Sequence, residues 1–183
     1  MLPAVIPNSR IFTYEWNANL DRKPAAKFLS GHATELLSKL YMERLRDGND
    51  RPIIFIASCF GGLLLAEALC RAAESGIKYR DVLKSTVGVA FLGTPFRGSH
   101  RGFYTAVQLR IAFAVSRGGE ASNNLVKYLN SDANARGELD ELVRLFTEMV
   151  YRKQFKFSIV CFYETLPTDF RAILRCLPPE FAE

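Results

Sequence analysis

Residues 53–69 read IIFIA-SCFGG-LLLAEAL, and few folds accommodate such a segment. A short apolar run of β-branched and aromatic residues passes without a linker into a tight, glycine-containing turn. A continuous apolar stretch of helical length follows. A strand that turns at once into a buried helix is the building unit of α/β proteins. Several chemistries use such a turn, and each makes a demand that can be checked. A phosphate-binding P-loop needs GxxxxGK[ST], and the turn holds neither Lys nor Thr. A dinucleotide fingerprint needs GxGxxG, whereas Gly61 and Gly62 are adjacent. A cysteine-phosphatase loop needs an arginine six positions after the cysteine, where Leu65 stands.

The nucleophile elbow fits. In that turn the nucleophile sits at a strained backbone angle, and the residues two before and two after it must be small. With Cys59 at the apex those residues are Ala57 and Gly61; with Ser58 they are the bulky Ile56 and Phe60. Sterics therefore select Cys59, the alternative being a buried, inert cysteine in an ordinary turn. The positive end of a following helix raises the thiolate fraction of a thiol placed there. The backbone N–H of Phe60 then faces a developing oxyanion, and a cysteine so placed attacks an ester or thioester carbonyl if a base completes the site.

Around this unit strand and helix patterns alternate. The β-rich runs are 10–16 (RIFTYEW), 53–57, 87–92 (VGVAFL) and 157–163 (FSIVCFY). The second and third are almost wholly apolar, as in parallel strands covered on both faces. Leu29, Ala33, Leu36, Leu37, Leu40 and Tyr41 recur at helical spacing before a stop at Gly48. Residues 62–75 read as a buried helix ending at Gly76, and Leu139, Leu142, Val143, Phe146, Met149 and Val150 form a further helical stripe. The fold class is α/β, a mostly parallel sheet flanked by helices with right-handed crossovers. About 64 residues separate the last two strand runs, so residues 97–150 are expected to hold a helical insertion. Its apolar stretch 103–115 packs as core or acts as a lid.

The chain has 183 residues, 49% of them hydrophobic and 23% charged, which suits a single globular domain and excludes disordered or low-complexity classes. No apolar run reaches the roughly 18 residues of a membrane span, and the N-terminus lacks a signal-peptide core. Cys59, Cys70, Cys161 and Cys176 lie 11, 91 and 15 positions apart, giving no CxxC pair and no zinc knuckle. A reduced, cytoplasmic setting and no metal or cofactor are the expectation. Between Val82 and Gly119 there are five basic residues and no acid, although the net charge of the whole chain is only +5. That stretch suits an anionic substrate or headgroup, or simply a solvated surface. No basic cluster interleaves with aromatics, so nucleic acid is not an expected partner.

Three stretches, RIFTYEWNAN (10–19), RPIIFIASCFGGLLLAEAL (51–69) and VGVAFLGTPFRGS (87–99), together with FYETLPT (162–168), resemble the α/β-hydrolase superfamily. The likeness is to lipase/esterase-like domains related to GPI inositol-deacylases, in particular the version at the N-terminus of fungal NOD-like receptor proteins. It implies a partial α/β-hydrolase fold over residues 1–183, its four strands corresponding to the fourth through seventh of the family. In the serine esterases of this group the elbow reads G-H-S-x-G-G; here Ser58 takes the His position and Cys59 the Ser position.

The resemblance further implies that Glu164, at the end of FSIVCFYE, takes the place of the triad acid. The early strand with the second oxyanion donor would precede Met1, and the strand before the catalytic His would follow Glu183, so a truncated copy is expected. Of the two histidines, His32 reads as a surface or boundary residue on the first helix; His100, after FLGTPFRGS, lies on the C-terminal side of the sheet and is the base candidate these residues offer, although the family does not use that position as base. The expected site is thus Cys59, Glu164 and His100 with Phe60, Ala57, Gly61 and Gly62 shaping the turn. The function implied is hydrolysis of a small-molecule or lipid ester. The alternative is a non-catalytic effector domain working with other domains of a larger receptor chain.

Overall fold

The computed structural model of the protein describes residues 6–16, 25–47, 51–76, 78–96, 133–152 and 155–163. In chain order the elements are α1 (Ala25–Asp47), β1 (Ile53–Ser58), α2 (Phe60–Glu74), α3 (Arg80–Ser85), β2 (Thr86–Leu92), α4 (Ala133–Tyr151) and β3 (Ser158–Phe162). The strands form one parallel sheet in the order β1-β2-β3. The class is α/β, as the alternating pattern predicts.

The helices follow from their sequences. In α1, Leu29, Ala33 and Leu37 stand four apart and are buried, and Arg44 and Arg46 in its last turn oppose the negative end of the helix dipole. The helix α2 is apolar nearly all round and lies at the centre of the core, with Leu63, Leu69 and Ala72 fully enclosed. It ends where Ser75 donates to the Arg71 carbonyl and Gly76 takes a left-handed φ of 54°. The helix α4 sets Leu139, Leu142, Phe146 and Met149 into the same core. Its outer face carries Arg144 between Glu141 and Glu148.

Two expectations about the strands are corrected. The run 10–16 is not a strand: it has no ladder partner among the described residues and lies against α1, where Tyr14 Oη donates to the His32 carbonyl at 3.1 Å. Its aromatic side chains find packing partners on helices, and that satisfies them without a sheet. The near-continuous apolar runs of β1 and β2 are, among the described residues, packed by helices on one face only. Phe55, Ala57, Val89, Phe91 and Ile159 face the helices, while Ile54 and Ile56 on the opposite face are 63% and 60% exposed. The strand order explains this. Successive crossovers that step the same way and share one hand deposit their helices on the same face.

The helix α3 has no counterpart in the sequence reading. It is held by Arg44, 7% exposed, which donates to the Arg51 carbonyl at 2.9 Å, the Ser85 hydroxyl at 2.6 Å and the Asp81 carboxylate at 3.3 Å. Among the described residues no helix is long and apolar enough to cross a membrane.

Candidate active site

The turn between β1 and α2 lies at the carboxyl ends of the strands, the end at which open parallel sheets bind ligands. Cys59 occupies it with φ 50° and ψ −126°, and it is the only non-glycine with positive φ among the described residues. An L-residue held there is strained by about 1–3 kcal/mol, which the surroundings must offset. They do so from the neighbouring strand. The Cys59 N–H donates to the Leu92 carbonyl at 2.8 Å, one step beyond the β1–β2 ladder. Gly93, at φ 60°, turns the chain after β2 and donates its N–H to the Phe162 carbonyl at 2.8 Å. The ends of all three strands are thereby tied together at the level of the thiol.

The first turn of α2 is intrinsically weak. No side chain caps it, and two glycines follow Phe60. The Gly62 N–H closes back onto the Cys59 carbonyl at 3.1 Å. The Phe60 side chain is an anchor, 4% exposed and stacked on Trp16 at 5.9 Å between centroids with 26° between planes. Trp16 in turn meets the His32 ring edge-on at 5.7 Å. His32 Nδ1 lies 3.3 Å from Glu35 Oε2.

Sequence sterics place the crowding at Ala57 and Gly61; on the helix side of the turn the structure finds it at Gly62. Nothing among the described residues lies within 4 Å of where a Cβ on Gly61 would stand. A Cβ on Gly62 would lie 1.9 Å from Thr94 Oγ1 and 2.8 Å from Thr94 Cβ. Gly62 is thus the residue that lets α2 approach the end of β2. The Thr94 hydroxyl at this contact is buried and has no hydrogen-bond partner among the described residues. The sequence reading missed Thr94 and Trp16 as parts of the site. Their signals were present, a Gly-Thr pair directly after a strand and an aromatic ending the 10–16 run.

Cys59, Phe60, Ala57, Gly61 and Gly62 are brought together in this turn. Glu164 and His100 lie outside the described residues, as do the stretch 103–115 and Cys176. Cys70 and Cys161, like Cys59, are free thiols, Cys70 buried and Cys161 exposed. Burial, with Glu67 and Glu74 adding to it, pushes the Cys70 thiol up to about 12. No group of three or more His, Cys, Asp or Glu side chains is placed to hold a metal among the described residues.

A parallel α/β sheet with a strained cysteine at the end of a strand is the class that fold and site define. Comparison with known proteins adds relatives. The chain is similar to Protein SERAC1 of Danio rerio, 29% identical over 185 residues and 96% of this chain. It is also similar to Protein SERAC1 of Bos taurus (29% identical, 92% of this chain) and of Homo sapiens (30% identical, 97% of this chain). The chain spans about a quarter of the length of these relatives, 25%, 24% and 26% respectively. No family model matches, and no solved structure does.

Proposed function

We propose that the chain is a hydrolase-derived domain that takes acyl groups from esters or thioesters, lipid esters included, onto Cys59. The observation that carries this reading is the backbone of Cys59, a positive φ of 50° on a non-glycine between a buried strand and a helix. That backbone supports the strand–turn–helix of a nucleophile elbow, where strain presents the reactive atom to the open end of the sheet. The thiolate attacks the carbonyl carbon, the carbonyl electron pair moves to oxygen, and the Phe60 N–H donates to the oxyanion. Collapse expels the alkoxide or thiolate, which takes a proton and leaves a thioester on Cys59. Water then cleaves the thioester to a carboxylic acid and restores the thiol.

In this reading Glu164 is the acid that orients a base; His100 is the candidate base within these residues, although the family does not use that position, and the alternative is a histidine supplied from outside them. The S-C-F-G-G turn and the FLGTPFRGS motif support reading the domain as the fungal NOD-like receptor version, which would have other domains of a larger receptor chain as partners. Similarity to Protein SERAC1 over nearly the whole chain supports a shared fold segment.

The test is adduct mapping after brief exposure to iodoacetamide and, separately, to p-nitrophenyl butyrate. The reading expects both labels on Cys59 ahead of the exposed Cys161, and loss of nitrophenol release in Cys59→Ala. Labelling ordered by exposure alone, with Cys161 first and no acyl adduct on Cys59, overturns it. The fold would then serve as a non-catalytic effector domain.

A further inference from the structure

The thiol sits before a helical turn that has little of its own to hold it. Cys59 is strained, Gly61 and Gly62 follow within three residues, and no side chain caps the helix. Among the described residues, contacts from two segments outside α2 bear on that turn. One is the end of β2, through the Leu92 carbonyl and Thr94. The other is Trp16, which arrives from the 10–16 segment and lies nearly parallel on the Phe60 ring. Phe60 is the residue whose N–H the acyl-transfer reading uses, and its ring is its anchor. Trp16 is itself fixed from two sides, by the His32 ring and by Tyr14 two residues earlier, hydrogen-bonded to the His32 carbonyl.

We infer that Trp16 is a positioning residue for acyl transfer: by stacking on Phe60 it holds the Phe60 N–H at the angle where an oxyanion formed on Cys59 meets it. The inference rests on the acyl-transfer reading and adds a residue to it. Trp16 touches no reacting atom; it acts through Phe60. Oxyanion donors work by preorganisation, and misplacement of a positioned group by about 1 Å can cost about 10² in rate, so a donor left free to swing loses much of its effect.

The consequence separates two reactions of one sulfur. Alkylation by iodoacetamide is a displacement at saturated carbon and forms no oxyanion. Acylation by p-nitrophenyl butyrate passes through one. Trp16→Ala should slow single-turnover acylation of Cys59 about tenfold and leave its alkylation within about twofold, removal of an oxyanion donor outright costing about 10²–10³. Trp16→Phe keeps a ring on Phe60 and should restore most of the acylation rate.

Each outcome has a meaning. A parallel fall of both reactions, not reversed by Trp16→Phe, assigns Trp16 a structural role alone and overturns the inference. So does acylation equal in wild type and Trp16→Ala. A wild-type protein that alkylates but never acylates overturns the acyl-transfer reading itself, and this inference with it. A thermal melt of each variant keeps a folding defect visible. Trp16 is the only tryptophan in the chain, so its emission reports on this stack alone in wild type.

Discussion

Adjacent glycines carry different burdens at this turn. Gly61 has open space where a Cβ would go, and Ala favours helix over Gly by about 0.5–1 kcal/mol, so Gly61→Ala should raise stability slightly in a denaturant melt. Gly62→Ala drives a methyl into Thr94, whose own Cβ would be 2.8 Å away and cannot swing aside. Overpacking of this kind costs about 1–3 kcal/mol, and the substitution should also slow labelling of Cys59 because α2 must shift. The Thr94 hydroxyl supplies a converse case. An orphaned buried donor costs about 1–3 kcal/mol, so Thr94→Val, nearly equal in shape, should leave stability unchanged or higher. A fall of more than about 1 kcal/mol would show that the hydroxyl has a partner in solution. Titration adds a further prediction. Cys70 and Tyr14 both ionise near pH 12 when folded, against 9.0 and 10.0 as ordinary values, Cys70 chiefly through burial and Tyr14 through burial and Glu35. The folded chain then holds protons that the unfolded chain releases, so stability must fall as pH rises from about 9 to 12. Urea midpoints across that range check it, and Tyr14→Phe should flatten the slope above pH 10.

At the scale of elements, legibility followed periodicity and length. The helices α1, α2 and α4 and the strands β1 to β3 are long or apolar enough to show their spacing in the sequence. The helix α3 spans six residues, under two turns, and no stripe can establish itself over that length. It exists because Arg44 reaches across from α1 to the Arg51 carbonyl, Asp81 and Ser85, a tertiary cause with no local signature. Arg44→Ala should therefore cost about 2–3 kcal/mol, less than the about 3–5 kcal/mol of breaking a fully buried pair because Asp81 is half exposed. A loss under about 0.5 kcal/mol in the same melt would remove Arg44 from this role. The run 10–16 failed in the opposite direction. Its β-branched and aromatic residues fit a strand, yet strand propensity measures how well a side chain packs on a half-buried surface. Tyr14 and Trp16 find that surface on α1 and Phe60. The candidate site shows the same division. The apex cysteine was readable from residue sizes around it, while the contacts that hold the turn, Thr94 on Gly62 and Trp16 on Phe60, join segments that are 32 and 44 residues apart.

Taken together, the described residues are lopsided in a way no single element reveals. All described helices share one core with one face of the sheet, and the other face presents Ile54, Ile56, Leu92, Val160 and Phe162, each between 38% and 63% exposed. Register places these side chains in neighbouring rows, Ile56 beside Ala90 and Val160, and Ser58 beside Leu92 and Phe162, so they form one patch rather than scattered exposures. Parallel sheets are ordinarily covered on both faces, and contiguous apolar surface of this kind drives association. The alternating burial of β1 also explains why its sequence misled: apolar residues on a face that no described residue covers are indistinguishable in sequence from those on a covered one. Replacing Ile54 and Ile56 together by Thr tests the lopsided arrangement. Threonine keeps the β-branched shape and strand preference while making the face polar. With both side chains about three-fifths exposed, little burial is lost, and the double variant should melt within about 1 kcal/mol of wild type, about 0.5 for each surface change. Static light scattering should at the same time show less self-association at equal concentration. A loss of several kcal/mol, with no change in scattering, would mean that the face is covered in solution and that these isoleucines belong to a core.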